Sequence, residues 1–178
     1  MGAGSPDVGA HGLAAPARPR LSTQDGGPHN MRILAATDGS APANRAVDLA
    51  ARLTKELDGS LKVIHVCSER DVPEEQLSDY TIAEHASSAD VLSALSEEKL
   101  RVARERAAKL GVSKIDSASL LELETGAIAE TIIDAAHRND ADMIVMGKRG
   151  LSRLSGLIVG SVSQKVVSTA TCAVIVVP

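Results

Sequence analysis

The chain has 178 residues, a formal net charge of −4 and 44% hydrophobic residues, yet it contains no Trp or Phe and a single Tyr. That length suits one ordinary domain with a substantial core, and the core must be built from aliphatic side chains. The negative charge and missing aromatics argue against a nucleic-acid surface, and no apolar run approaches the roughly eighteen residues of a membrane span.

Residues 1–30 are rich in Gly, Ala and Pro and show no apolar periodicity. They lack the basic start and apolar stretch of a secretory signal, so they are expected to form a disordered tail ahead of a domain spanning 31–178. Met31 directly precedes the first predicted strand and is a candidate start.

Arg32–Thr37 reads as a short buried strand and Asp38-Gly39-Ser40 as the turn out of it. Ser40 is placed to cap a helix whose apolar residues Ala43, Ala46, Val47, Ala50, Leu53 and Leu57 step by three and four. Asp58-Gly59 ends that helix, and Leu61–Cys67 follows as the second strand. The connection from Ser68 to about Ala89 is strongly acidic, with Arg70 its one base; such a run is a solvated segment or a partner contact. A helix is expected from about Asp90 to Leu110, with Leu92, Leu95, Ala103, Ala107 and Leu110 inward. Ser117–Glu124 then reads as a strand, Gly126–Arg138 as a helix, Ala141–Met146 as a strand, Ser161–Ala170 as a helix and Ala173–Val177 as a last strand.

Strands alternating with helices imply parallel pairing with right-handed crossovers, hence a doubly wound α/β sheet. Ligands of such sheets sit beyond the carboxyl ends of the strands, where the strand order reverses. If the first and fourth strands are neighbours there, Asp38 and Gly147 meet at one crevice.

The segment Gly147–Ser161, GKRGLSRLSGLIVGS, is the most informative in the chain. Glycines at 147, 150 and 160 let backbone approach a ligand closely, and a helix N-terminus after Gly160 offers free N–H groups and partial positive charge. Together they suit phosphate, and Lys148, Arg149 and Arg153 favour a polyphosphate over a lone carboxylate. Ser161 also opens a capping-box pattern with Gln164, so it either caps the helix or contacts phosphate. Asp38 likewise reads as a turn residue or as a polar contact to a base or ribose. The loop holds no Asp, Glu, His or Gln to aim water at a γ-phosphate. The nearest acidic residues in sequence are Asp38 and Asp142, so fast hydrolysis is not expected.

Cys67 and Cys172 lie at opposite ends of predicted parallel strands and are expected to be free thiols in a reducing compartment. The histidines show no metal-ligand spacing, and His65, inside an apolar strand, reads as a satisfied core residue.

The spacing Gly147-x2-Gly150-x9-Gly160-Ser161 resembles the signature of ATP-binding universal stress proteins. The resemblance extends through ILAATDGS, VIHV, DMIVMGKRG, GSVSQKVV and CAVIVVP, from about Met31 to Pro178. It implies a five-stranded parallel sheet of order 3-2-1-4-5 with helices on both faces, and a cytoplasmic homodimer joined through Ala173–Val177. It also implies ATP binding, with adenine near Asp38 and Val66 and phosphates on Gly147, Gly150, Gly160 and Ser161. The implied nucleotide site takes in Ala36, Met146, Lys148, Arg149, Leu151, Ser152, Arg153 and Val162 as well. Ala36 departs mildly from the proline or glycine that some members carry there. Magnesium accompanying the triphosphate is a chemical expectation only. The function implied is a nucleotide-responsive regulatory module acting on a protein partner; a nucleotide-independent scaffold dimer and a slow ATPase are the alternatives.

Overall fold

A computed structural model describes residues 30–67, 88–121, 127–150 and 159–178. The expected tail (through residue 29), the acidic connection, the end of the third predicted strand and Leu151, Ser152 and Arg153 lie outside the described residues.

The elements run β1 (Arg32–Ala36), α1 (Ala41–Glu56), β2 (Ser60–Cys67), α2 (Ser88–Lys109), β3 (Ile115–Leu121), α3 (Ile128–Arg138), β4 (Met143–Gly147), α4 (Ser161–Thr169) and β5 (Ala173–Val177). The five strands form one parallel sheet in the order β3-β2-β1-β4-β5, the topology that the family resemblance implies. Because β1 pairs with β2 on one side and β4 on the other, the strand order reverses between β1 and β4.

Strand alternation divides the core between the two faces. Ile33, Ala35, Leu61, Val63 and Val145 join α1 and α2 on one face, with Leu100, Ala103 and Ala107. Leu34, Ala36, Ile64, Val66, Ile144 and Met146 join α3 and α4 on the other, with Ile132, Ala136 and Val166. Burying each large aliphatic side chain contributes about 1.5–3 kcal/mol. Fully covered faces are why the strands read as apolar runs rather than alternating patterns.

Helix starts and stops follow local chemistry. Ser40 caps α1, its Oγ accepting from Ala43 N at 3.3 Å, and Pro42 occupies the first turn, where no amide partner is lost. Leu57 corrects its expected inward position: it is the C-cap of α1 and 45% exposed. The inner stripe instead ends on Ala51 and Thr54, whose hydroxyl donates back to Ala50 O at 2.8 Å. β3 begins at Ile115, two residues earlier than expected, because Leu61 and Lys62 pair with Ile115 and Asp116. The two cysteines are free, Cys67 at the carboxyl end of β2 and Cys172 just before β5.

Candidate functional site

Two turns meet where the sheet reverses. Asp38 follows β1 in an Asx turn, its Oδ1 accepting from Ser40 N at 3.0 Å, while Gly39 N donates to Thr37 Oγ1 at 3.2 Å. Gly39 has φ +82°, a conformation that glycine adopts without steric cost. From the neighbouring strand, Gly147 leads into a second turn, where Lys148 N donates to Val177 O at 2.6 Å.

The glycines bring these segments together. A β-carbon on Gly147 would lie 2.8 Å from Ala43 N, so its bareness lets β4 end against the first turn of α1. A β-carbon on Gly150 would lie 2.5 Å from Asp38 Oδ2. One on Gly160 would meet Lys148 O at 3.3 Å and Arg149 Cα at 3.5 Å. Gly160 N donates to Lys148 O at 2.9 Å, which ties the start of α4 to the turn after β4.

Gly160, not Ser161, is the N-cap of α4, with φ −68° and ψ 151°. The capping-box reading of Ser161 is therefore corrected. Ser161 is the first helical residue, exposed and lining the cleft, because the Gly160–Lys148 bond fixes the helix start one residue early. One turn on, Ser163 Oγ donates to the buried Gly147 carbonyl at 2.8 Å. The cleft thus has an amide-bearing helix end along one side.

Its walls are aliphatic: Ala36, Val66, Ile128, Ile132, Met146 and Val162. Thr37, Asp38, Lys99, Arg149, Ser161 and Ser163 supply charged and polar side chains, and Gly147, Gly150 and Gly160 also line it. Asp142 is removed from consideration. It lies at the amino end of β4, its Oδ2 accepting from Arg32 N at 2.8 Å, at the end of the strands opposite the cleft.

The model of the universal stress protein family matches residues 29–178 of this chain. The chain is 31% identical over 153 residues to the universal stress protein YxiE of Bacillus subtilis, covering 82% of this chain and 97% of that protein. It is 38% identical over 145 residues to a universal stress protein of Thermus aquaticus, covering 82% and 96%. The chain belongs to the universal stress protein family. Among solved structures, a universal stress protein in complex with cAMP superposes with TM-score 0.62 at 25% identity, covering 83% of this chain and 97% of that one. The universal stress protein of Archaeoglobus fulgidus gives TM-score 0.62 at 26% identity, covering 83% and 98%.

In this universal stress protein the fold brings Ala36, Asp38, Val66, Met146, Gly147, Arg149, Gly150, Gly160, Ser161 and Val162 to one cleft. Lys148 contributes backbone to the turn that frames it.

Lys99, Ser96 and Ser119 were missed by sequence reasoning. Lys99 Nζ lies 3.1 Å from His65 Nε2, and His65 Nδ1 lies 2.7 Å from Ser96 Oγ. Ser96 donates to Ser119 Oγ at 2.7 Å, and Cys67 Sγ stands 3.0 Å from that hydroxyl. A lysine ammonium only donates, so Nε2 must accept and Nδ1 carries the hydrogen, and the bonds continue from His65 through Ser96 to Ser119, which Cys67 also contacts. His65 is only 3% exposed. Burial, aided by the Lys99 charge and opposed by Asp38, lowers its pKa to about 4, so the ring is neutral at pH 7. His65 is the satisfied core histidine expected from its strand. The missed signal was Ser96, a polar residue within the apolar stripe of Leu92, Leu100 and Ala103 on α2. A buried hydroxyl in such a stripe requires a partner.

Proposed function

We propose that this cleft binds an adenine nucleotide, ATP foremost, and that the protein acts as a homodimeric, nucleotide-responsive regulator in the cytoplasm. One observation carries the reading: at the reversal of the sheet the Asp38 turn, the Gly147–Gly150 turn and the N-terminus of α4 converge on one aliphatic-walled cleft. Free amides and partial positive charge at a helix start suit phosphate. Arg149 lines the same cleft, and Lys148, Leu151, Ser152 and Arg153 extend the proposed phosphate side on sequence grounds. With no Trp or Phe available, Val66 and Met146 hold the base between aliphatic surfaces, and Ala36 and Asp38 face the nucleoside. A universal stress protein of the same fold, solved in complex with cAMP, supports nucleotide binding.

Among the described residues no group of three His, Cys, Asp or Glu side chains is placed to hold a metal. Magnesium accompanying the triphosphate, held by its oxygens, is the chemical expectation. Among the described residues Asp38 is the one acidic side chain lining the cleft, with Oδ1 accepting from Ser40 N. The arrangement favours holding a nucleotide over hydrolysing it.

The sheet ends at β5, whose residues Val174–Val177 are part-exposed. An apolar edge strand is a pairing liability unless covered, which supports the homodimer through Ala173–Val177. Nucleotide occupancy regulates a protein partner only through a difference in partner affinity between the bound and free states. A second reading, a nucleotide-independent scaffold dimer, is favoured by the packing contacts at Gly147, Gly150 and Gly160, each of which has a reason to be glycine without a ligand.

Calorimetric titration separates the two readings. The nucleotide reading expects one saturable ATP site per chain that Gly160→Val abolishes; the scaffold reading expects no heat of binding and unchanged dimerisation in that variant.

A further inference from the structure

Lys99 runs alongside Gly39 and is held by one hydrogen bond. The γ-carbon of its stem lies 3.4 Å from where a β-carbon on Gly39 would stand, and its ammonium donates to His65 Nε2 at 3.1 Å. His65 is held in turn by Ser96, which is fully buried. Placing a lysine this way restricts a flexible side chain at an entropic cost of up to about 2 kcal/mol, and Lys99 is only half-buried and lines the cleft. Among the described residues its ammonium makes one hydrogen bond, which leaves two N–H donors for solvent or a ligand.

Position in the sheet says which end of a ligand those donors meet. His65 belongs to β2 and Gly147 to β4, with β1 between them, so the two strands stand roughly 10 Å apart. The amides at the start of α4 lie on the β4 side, tied to Lys148. Lys99 lies on the β2 side, against the Asp38-Gly39 turn. A nucleotide with its phosphates at α4 presents its nucleoside half to Lys99.

Resting on the nucleotide reading above, we infer that Lys99 is a ligand-contacting residue, oriented by His65, that donates to an acceptor on the nucleoside half, a ribose oxygen or a ring nitrogen of the base. His65 is a positioning residue: its neutral Nε2 directs the ammonium toward the cleft and does not touch the ligand. A charge-assisted hydrogen bond to a ligand is worth about tenfold or more in affinity.

The test compares ATP, 2′-deoxy-ATP and inorganic tripolyphosphate by calorimetry on the full chain and on Lys99→Met, Lys99→Gln, His65→Gln and His65→Leu. Lys99→Gln retains a donor for His65 Nε2 and guards against a folding defect in the methionine variant. The expected result is an ATP affinity about tenfold lower in both Lys99 variants, with tripolyphosphate affinity unchanged. His65→Gln, whose amide oxygen still accepts from Lys99, is expected to retain most of the ATP affinity, whereas His65→Leu is not. If the ribose 2′-hydroxyl supplies the acceptor, 2′-deoxy-ATP binds equally to the wild type and to Lys99→Met; if another ribose oxygen or the base does, it loses the same tenfold as ATP. Unchanged ATP affinity in folded Lys99→Gln and Lys99→Met overturns the inference alone. An equal loss of ATP and tripolyphosphate also overturns it, because Lys99 then contacts phosphate. A wild-type protein that binds neither ATP nor tripolyphosphate overturns this inference together with the nucleotide reading.

Discussion

Asp38 and Gly150 are in van der Waals register across the cleft: a β-carbon at position 150 would stand 2.5 Å from Asp38 Oδ2, while Oδ1 of the same carboxylate accepts from Ser40 N at 3.0 Å. The carboxylate cannot turn away from a new methyl group without giving up the hydrogen bond that shapes the turn before α1. Gly150→Ala should therefore distort Asp38 and lower nucleotide affinity by about tenfold or more, roughly the value of one charged hydrogen bond. Calorimetry with ATP checks this, and wild-type affinity in that variant would show that Asp38 makes no ligand contact.

Gly147→Ala should act on the fold instead. Its β-carbon would press 2.8 Å from Ala43 N and 3.0 Å from Pro42 C, both main-chain atoms of the first turn of α1. Overpacking of this kind costs about 1–3 kcal/mol. Urea denaturation should show a loss in that range, with Gly160→Ala, whose nearest contact is 3.3 Å, losing less than Gly147→Ala.

Stability should fall on mild acidification because of His65. Its folded pKa lies at about 4, below the ordinary value of 6.5, so between those pH values the unfolded chain binds a proton that the folded chain does not. The slope of unfolding free energy with pH is then positive. The contribution is fully present above pH 6.5 and is lost progressively as pH falls toward 4, to a total of roughly 3 kcal/mol. Urea midpoints at intervals from pH 7 to pH 4.5 measure the slope. His65→Gln should flatten it, and an identical slope in that variant would assign the acid sensitivity elsewhere.

Gel filtration with light scattering should give twice the 18.4 kDa chain mass. Ile175→Lys, in the middle of the edge strand β5, should give the single-chain mass with a native circular dichroism spectrum. A folded Ile175→Lys protein that remains dimeric would place the interface away from β5.

The sheet was legible because its strands are buried on both faces and stand out as short aliphatic runs between glycine-bearing turns. Its order, by contrast, came with the family resemblance. The cleft was legible through Asp38 and the glycines at 147, 150 and 160, yet the reason each is glycine was not. Close approaches to Ala43, Asp38 and Lys148 involve segments up to about a hundred residues apart in the chain, and no local pattern encodes them. Ser161 was left between a cap and a phosphate contact because its side chain alone suits both, while Gly160, tied by its N–H to Lys148 O, takes the N-cap position. Leu57 fitted the helical period but falls where α1 ends. Lys99 was invisible for a further reason: a charged residue on a helix ordinarily reads as solvated surface, and only the fold shows that His65 lies beneath it.

The most direct test is to take the freshly purified protein, record its ultraviolet spectrum, and identify any released ligand by chromatography with mass detection, before and after incubation with ATP. With one Tyr and no Trp the chain absorbs little at 280 nm, so even partial nucleotide occupancy dominates near 260 nm. The nucleotide reading predicts recovery of ATP, carried through purification or taken up from solution. A clean spectrum with no uptake of added ATP would contradict it and leave the three glycines as the packing of a scaffold.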